Sequence, residues 1–425
     1  MSPSTPLAEM QERGGPGMRE SIALMAALMA SNALAIDAML PALPAIGRAL
    51  DVTEDNRRQL VITAFILGFG IAQLFWGPLA DRFGRKRLLT GGLILYGLLG
   101  IVAGLASSFT LLLVARVLQG MAAAASRVLV VAIVRDRYQG PAMARVMSLS
   151  MIVFMIVPVL APTFGQTVLA FGTWRHIFIG LGVYGAVLAL WSSLRLPETL
   201  TADQRRPLSL GHLGEAMGMV LRNRQSIGNT ITQTLVLGAL FSFINSVQQI
   251  VFDVFDAGGI MALVFALIAG PMAISAYANS RLVMRLGSRR ILLVALSFFT
   301  GVAAVHLAVA AMIGENLWVF VALQAATMIF FGLIGANAGA LAMEPLGHIA
   351  GTASSLQGVI TTVGGALIGF FIGQHFDGTT LPFLIGFTTC GLASLLVAVW
   401  ANRAPSGDMR DEGEIDIQEI ESRPA

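Results

Sequence analysis

The sequence predicts an all-α integral membrane protein, with twelve transmembrane helices in two six-helix bundles related by a pseudo-two-fold axis. Three observations carry that expectation. The 425 residues are 56% hydrophobic and only 12% charged, with a mean hydropathy of +0.77, whereas soluble domains carry about 25% charged residues. The apolar residues fall in long runs and lack the strict alternation of a membrane β-strand. Finally, the runs divide into two sets of six, and one connecting loop of the first set recurs in the second.

A helix needs about 20 apolar residues to cross a bilayer. Runs bounded by charge or by Gly/Pro clusters place six spans near 21–43, 59–79, 87–107, 110–134, 144–168 and 174–196. Six more lie near 227–251, 259–281, 290–313, 317–342, 350–373 and 381–402. The junction of the seventh and eighth is crowded by Asp253, Asp256, Gly258 and Gly259. Residues 1–19 are polar and rich in Pro and Gly, with no basic-apolar-small cleavage pattern, so the first run is expected to be an uncleaved span. The domain plan is therefore a terminal segment 1–19, bundles 20–197 and 226–402, a polar linker 198–225, and an acidic tail 403–425. The tail composition is that of a solvated segment.

Arginine and lysine placement orients the chain. Arg82, Arg85, Lys86 and Arg87 share one loop; Arg135, Arg137 and Arg145 another; Arg281, Arg285, Arg289 and Arg290 a third. Arg205, Arg206, Arg222 and Arg224 lie in the linker. Twelve spans with both termini cytoplasmic put all four groups on the cytoplasmic side. The opposite loops hold Arg48, Arg57, Arg58 and Arg175, partly offset by Asp51, Glu54 and Asp55. The net charge of +3 is accounted for by these loops and does not call for a nucleic-acid partner. The lone Cys390 cannot form an intrachain disulfide. No phosphate-binding GxxxxGK[ST] loop and no metal-spaced His/Cys cluster occurs. An enzyme, a cofactor and a metal are therefore not expected. The expected partners are the lipid bilayer, a small molecule and protons, and a monomer is expected.

The loop after the second span reads Gly77-Pro-Leu-Ala-Asp81-Arg82-Phe-Gly84-Arg85-Lys86-Arg87. The loop after the eighth reads Ser280-Arg-Leu-Val-Met284-Arg285-Leu-Gly287-Ser288-Arg289-Arg290. A common offset pairs Arg82 with Arg285 and Gly84 with Gly287, while Asp81 meets Met284. Repeats of an even number of spans share topology, and such duplication is typical of secondary transporters with a site between the halves.

The Gly77–Arg87 segment resembles the signature loop of the major facilitator superfamily. Arg116-Val-Leu-Gln119-Gly120 is similar to the second signature of its drug/proton antiporters. Ile36-Asp37-Ala-Met-Leu-Pro41-Ala-Leu-Pro44, Ala132-Ile-Val-Arg135-Asp136 and Ala350-Gly351-Thr352-Ala353-Ser354-Ser355-Leu356 resemble the bicyclomycin/chloramphenicol-resistance (Bcr/CflA) group of bacterial exporters. The resemblance covers about residues 20–402. It implies the major facilitator fold in a bacterial inner membrane and proton-coupled efflux of drugs or other lipophilic small molecules. Transport of one specific metabolite is the alternative.

Asp37 is the carboxylate inside an apolar segment rather than at its end. Ionised, it costs roughly 2.5–3.5 kcal/mol on insertion scales. A carboxyl that gains and loses a proton while facing alternate sides is what proton coupling requires. A wetted, structural Asp37 beside Pro41 and Pro44 is the other reading. The resemblance assigns proton handling to Arg116, which shares a helical face with Gly120, Ala123 and Arg127. Arg127 either belongs to that face or snorkels toward the cytoplasm.

The resemblance makes Asp81 an acceptor for the start of the eleventh span, around Gly351-Thr352. Asp136 is a partner for Arg85, and Gly77, Arg82 and Gly84 complete a cytoplasmic gate; topology determination by the basic residues is the plainer reading. Pro158, Pro162 and Gly165 form one stripe suited to close packing and a kink, linked by the resemblance to export. Candidate ligand contacts are Asp37, Arg116, Gln119, Gln233, Phe241, Asn245 and Gln248, near further amides at Gln249, Gln324, Asn337 and Gln357. Interhelical hydrogen bonding is the alternative for each amide. His306 is lone and expected to be structural.

Overall fold

The computed structural model describes residues 15–200 and 211–403. Arg205 and Arg206 of the linker and the acidic tail beyond Arg403 lie outside the described residues. Every regular element among those described is helical, and twelve helices are long and apolar enough to cross a membrane.

The first half comprises α1 (Met18–Asp37), the short α2 (Leu43–Ala49), α3 (Leu60–Phe83), α4 (Arg85–Gly104), α5 (Phe109–Arg137), α6 (Gly140–Phe171) and α7 (Trp174–Arg195). A linker helix, α8 (Gly211–Arg222), follows. The second half comprises α9 (Arg224–Gln249), α10 (Met261–Leu286), α11 (Ser288–Met312), α12 (Leu317–Met343), α13 (Ala350–Gln374) and α14 (Leu381–Ala401). The halves meet chiefly where α3 packs on α13 and α6 on α10.

Helix ends follow the local chemistry. Pro41 and Pro44 lack backbone donors, so α1 stops at Asp37, a 3₁₀ turn spans Leu40–Ala42, and α2 restarts with Pro44 in its first turn. The first crossing thus runs to Ala49, beyond the expected residue 43, with a break inside it. The crowded junction after α9 is a π turn, Ile250–Val254, then a 3₁₀ turn at Gly258–Ile260. The linker is partly helical, and Val220 on α8 packs with Leu346, Ala353 and Leu356 of the second half.

The two repeat loops share one backbone device. Gly84 has φ 95° and ψ 146°, and Gly287 has φ 75° and ψ 149°. Both lie in the left-handed half of φ space, where a side chain is strained, so the sequence match reflects a common turn. Gly77, by contrast, lies inside a helix. α3 continues past it and through Pro78 to Phe83, and a methyl group there would stand 4.0 Å from Val128. Gly77 therefore makes neither a turn nor a close helix approach.

The close approach lies higher on α3. Added side chains at Gly68 and Gly120 would collide with the backbone of Val117 and of Phe65 and Phe69, so paired glycines bring α3 and α5 together. Elsewhere the outer surface is apolar, with Leu98, Leu105, Leu190, Leu194 and Phe371 exposed. Such continuous apolar surface suits lipid, not water.

Gly120→Leu should force α3 and α5 apart and cost about 1–3 kcal/mol. Thermal melting of the purified protein, followed by size-exclusion chromatography, should show a midpoint lowered by several degrees. Gly77→Ala should melt as the wild type.

Candidate functional site

The break in α1 leaves backbone carbonyls of its last turn without intrahelical partners. Arg116 of α5 supplies one of them and anchors on two further acceptors. Its Nη2 donates to the Ala35 carbonyl at 2.8 Å, Nε to the Val61 carbonyl at 3.0 Å, and Nη1 to Gln119 Oε1 at 2.8 Å. The guanidinium lies 4.4 Å from the centre of the Phe65 ring and 5.6 Å from that of Phe178. Arg116 is fully buried, at 0% exposure, and carries its charge on carbonyls and aromatic faces.

Asp37 ends the same turn of α1 and is 4% exposed. Its Oδ1 has no hydrogen-bond partner in the protein, and among the described residues no cation lies in ion-pair range of it. Arg116 is joined to Asp37 through the backbone of the turn they share. Across this break α6 comes very close: a side chain at Gly165 would strike the Ala38 carbonyl and Pro41. Pro162 is buried one turn earlier, and Pro158 is half-buried. Both prolines lie inside α6.

The second half faces this region with amides. Gln233 accepts from Gln357 at 2.9 Å and donates to the Gly335 carbonyl at 3.3 Å. Gln73 of α3 reaches Thr362 of α13 at 3.3 Å. Asn337 donates to Asn279 at 2.7 Å. Asn245 Oδ1, Gln248 Nε2 and Gln324 Nε2 are buried without a partner in the protein. Phe241 packs on α13 at Gly369.

Apart from the Gln73–Thr362 contact, the hydrogen bonds between halves among the described residues cluster at the end opposite the basic loops. Asn56 Nδ2 donates to the Gln374 and Phe376 carbonyls, both at 3.0 Å, and its Oδ1 accepts from Gln249 at 2.7 Å. Gln59 bonds Gln249 and donates to the Gly373 carbonyl at 3.0 Å. Gln374 Nε2 donates to the Asn56 carbonyl at 2.8 Å. Gln166 of α6 donates to the Gly258 carbonyl at 3.0 Å. This neutral clasp closes one end. Arg127 is exposed although it lies on the α5 face opposite the lipid-type Val114, Leu118 and Met121, so solvent-accessible space reaches the inner side of α5.

At the basic-loop end of the first half, the charged residues bond one another. Arg85 is buried, pairs with Asp136, and donates to the Ala132 carbonyl at 2.7 Å. Glu198, just past α7, accepts from the backbone N–H of Arg85 at 2.8 Å and of Lys86 at 3.4 Å. A carboxylate thus caps the positive end of α4. Thr199 adds a 2.9 Å bond to Asp136. Asp81 is half exposed and 3.6 Å from Arg85, Arg82 is exposed over the Phe83 ring, and the side chains at Gly351 and Thr352 lie outside the described residues.

Three sequence expectations change. Gln119 is locked between Arg116 and the Tyr96 carbonyl, and with Arg116 it is sealed inside the first bundle, so neither offers a ligand contact in this conformation. His306 is not lone: its Nε2 stands 2.9 Å from Glu315, which also holds Thr380 at 2.5 Å. The clasp residues Asn56, Gln59, Gln166 and Gln374 escaped notice, as did Gln73 and Glu198. The signal for the clasp was amides flanking the spans.

Replacing Asn56 and Gln59 together by Ala removes several inter-half bonds, each worth about 0.5–1.5 kcal/mol. In a Cys390→Ser background, a reporter at Gln248→Cys should then label at least about tenfold faster with a membrane-impermeant maleimide. An unchanged rate would mean that the amides do not hold this end shut.

The fold agrees with known proteins. The crystal structure described as "human organic anion transporter MFSD10 (TETRAN)" superimposes with a TM-score of 0.64 over 91% of this chain and all of that one, at 20% identity, a likeness of fold. A Bacillus subtilis (strain 168) protein described as "Uncharacterized MFS-type transporter YdgK" is 32% identical, covering 88% of this chain and 93% of its own. The Haemophilus influenzae "Bicyclomycin resistance protein homolog" is 29% identical over 85% of this chain and 90% of its own. A Salmonella heidelberg "Multidrug resistance protein MdtL" is 27% identical over 90% and 95%. The Major Facilitator Superfamily model matches residues 25–369. With twelve membrane-capable helices in two bundles, the chain is a multi-pass membrane transporter and belongs to the major facilitator superfamily.

Proposed function

We propose that this transporter exports drugs or other lipophilic small molecules from a bacterial cytoplasm in exchange for protons, by rocking its two bundles about a central site. The observation that carries the reading is Asp37: a dry carboxyl with one unpartnered oxygen, at a helix break between the bundles. A carboxyl is the side chain able to bring a proton into a closed site and surrender it once water enters. The amide clasp supplies a closure that can break without stranding charge, and water reaches Asp37 when it does.

The positive-inside rule, applied to the arginine-rich loops, supports a reading in which the basic end and both termini face the cytoplasm across a bacterial inner membrane. The clasped conformation then faces inward, ready to load. Gln73, Gln233 and Gln357 offer neutral donors and acceptors at mid-depth, which suit ligands of varied shape. The resistance names of two relatives support a drug-like substrate. One proton crossing 100 mV supplies roughly 2.3 kcal/mol per cycle. A monomer suffices, because both halves of the site come from one chain.

Arg85 and Asp136, with Asp81, Arg82 and Gly84, form the rigid cytoplasmic end of the first bundle in this reading. The Pro158–Gly165 stripe lets α6 slide against the break in α1.

In proteoliposomes, Asp37→Asn should fold normally yet lose drug-driven proton release by about 10²-fold or more, the scale expected when a proton carrier is removed. Wild-type proton release in that variant would remove Asp37 from coupling. Substrate class is tested by a susceptibility panel in cells with and without the protein. Resistance to several unrelated apolar compounds is expected, and dependence on one metabolite alone would overturn the drug reading.

A further inference from the structure

The second half carries a groove that the first half fills. At the basic-loop end, the loop after α10 and the ends of α12 and α14 enclose about 1050 Å³. The corresponding elements of the first half surround Arg85, Asp136, Glu198 and Thr199, which consume that space in hydrogen bonds. In the second repeat Ser288 stands where the first has Arg85. Arg289, Arg290 and Arg403 border the groove, all exposed, and none has a carboxylate in ion-pair range among the described residues. The one lining carboxylate, Glu344, is engaged by Gln225 at 2.7 Å. Three arginines against one glutamate leave an unbalanced positive groove with apolar floor residues Leu286, Leu293 and Leu341.

We propose that the acidic C-terminal segment of this same chain, Asp408 to Glu421, docks in this groove. The chain leaves the described structure at Arg403, which is itself part of the groove wall. The next 22 residues carry seven acids, Asp408, Asp411, Glu412, Glu414, Asp416, Glu419 and Glu421, against Arg410 and Arg423. Asp408 is five residues on, within about 18 Å of Arg403 even when fully extended. A tether this short keeps the acids at an effective concentration on the order of millimolar. Ile415, Ile417 and Ile420 alternate with the acids and match the leucines of the floor. The docked tail gives the second bundle the carboxylates that Asp136 and Glu198 give the first. It braces the loop after α10 against the ends of α12 and α14. Because groove and tail are both at the basic-loop end, the inference does not depend on the substrate or on proton coupling.

The test uses the full chain with Cys390→Ser, Ser288→Cys and Glu414→Cys, in detergent at low salt. A short bismaleimide should cross-link the two cysteines. The Arg289→Gln/Arg290→Gln/Arg403→Gln set should slow cross-linking at least about fivefold, as should 0.5 M salt. The tail-side set Asp411→Asn/Glu412→Gln/Asp416→Asn lies outside the bundles and should slow it likewise, which keeps the test decisive if the arginine set folds poorly. Rates indifferent to both sets and to salt would overturn the proposal. So would loss of the cross-link in phosphatidylglycerol vesicles but not in phosphatidylcholine vesicles, because an anionic headgroup would then hold the groove.

Discussion

Lipid offers no hydrogen-bond partner, so each break in a spanning helix must be satisfied from within the protein. The break at Ala38 is a demanding one, because a buried carboxyl stands beside it. Arg116 resolves it by donating to the Ala35 carbonyl while its Nε anchors on the Val61 carbonyl of α3, and Gly165 and Pro41 close it from the other side. The α3–α5 contact through Gly68 and Gly120 brings Arg116 within reach of α1. Three glycines, one arginine and one proline therefore define a rigid seat around Asp37. Removing one partner would leave an uncompensated charge or carbonyl in a dry interior, which is far costlier than losing a surface bond.

Closure between the halves uses different chemistry. Ion pairs such as Arg85–Asp136 stay inside one bundle, while amides and backbone carbonyls join the bundles at the clasped end. Neutral amide contacts are each worth about 0.5–1.5 kcal/mol net, so several of them sum to a few kcal/mol. That is the range in which a ligand or a proton can shift a two-state equilibrium. Beneath the clasp, Asn245, Gln248 and Gln324 keep polar atoms without partners in the protein, and opening to water relieves that cost. Gain at the clasp and cost beneath it oppose one another, which keeps both states accessible.

The fold was legible because the bilayer imposes a coarse rule on composition: apolar runs of about 20 residues, separated by basic loops. All twelve runs are helices of membrane-crossing length. The repeat was legible because its turn needs glycine at positive φ, met by Gly84 and Gly287. The site was legible only in part. Asp37 and Arg116 stand out as charges in apolar runs, but the route between them passes through main-chain carbonyls, which no side-chain pattern reveals. Gln119 looked like a ligand contact because it is polar and within a span; its neighbour three residues earlier had already claimed it. Asn56, Gln59 and Gln374 were invisible for the opposite reason, since amides at span ends look like ordinary loop residues until tertiary packing brings them together.

The two repeats have diverged along one line. The first keeps charges within or against its helices, at Asp37, Arg116, Arg85, Asp136 and Glu198. In the second, the Arg85 position is Ser288 and the Asp81 position is Met284. Apart from the His306–Glu315 pair, buried polarity there is carried by amides such as Gln233, Asn245, Gln248 and Gln357. A charge fixed in a low-dielectric seat interacts strongly with one small ion and tolerates little rearrangement. Amides lose less when a partner changes, and they accept and donate to ligands of many shapes. On the proposed reading, proton handling belongs to the first bundle and recognition to the second. Exchange then requires only that one interface feel both, and the contact of the α1 break with α9, where Asp37's turn meets the amide-bearing helix, is where that coupling has its shortest path.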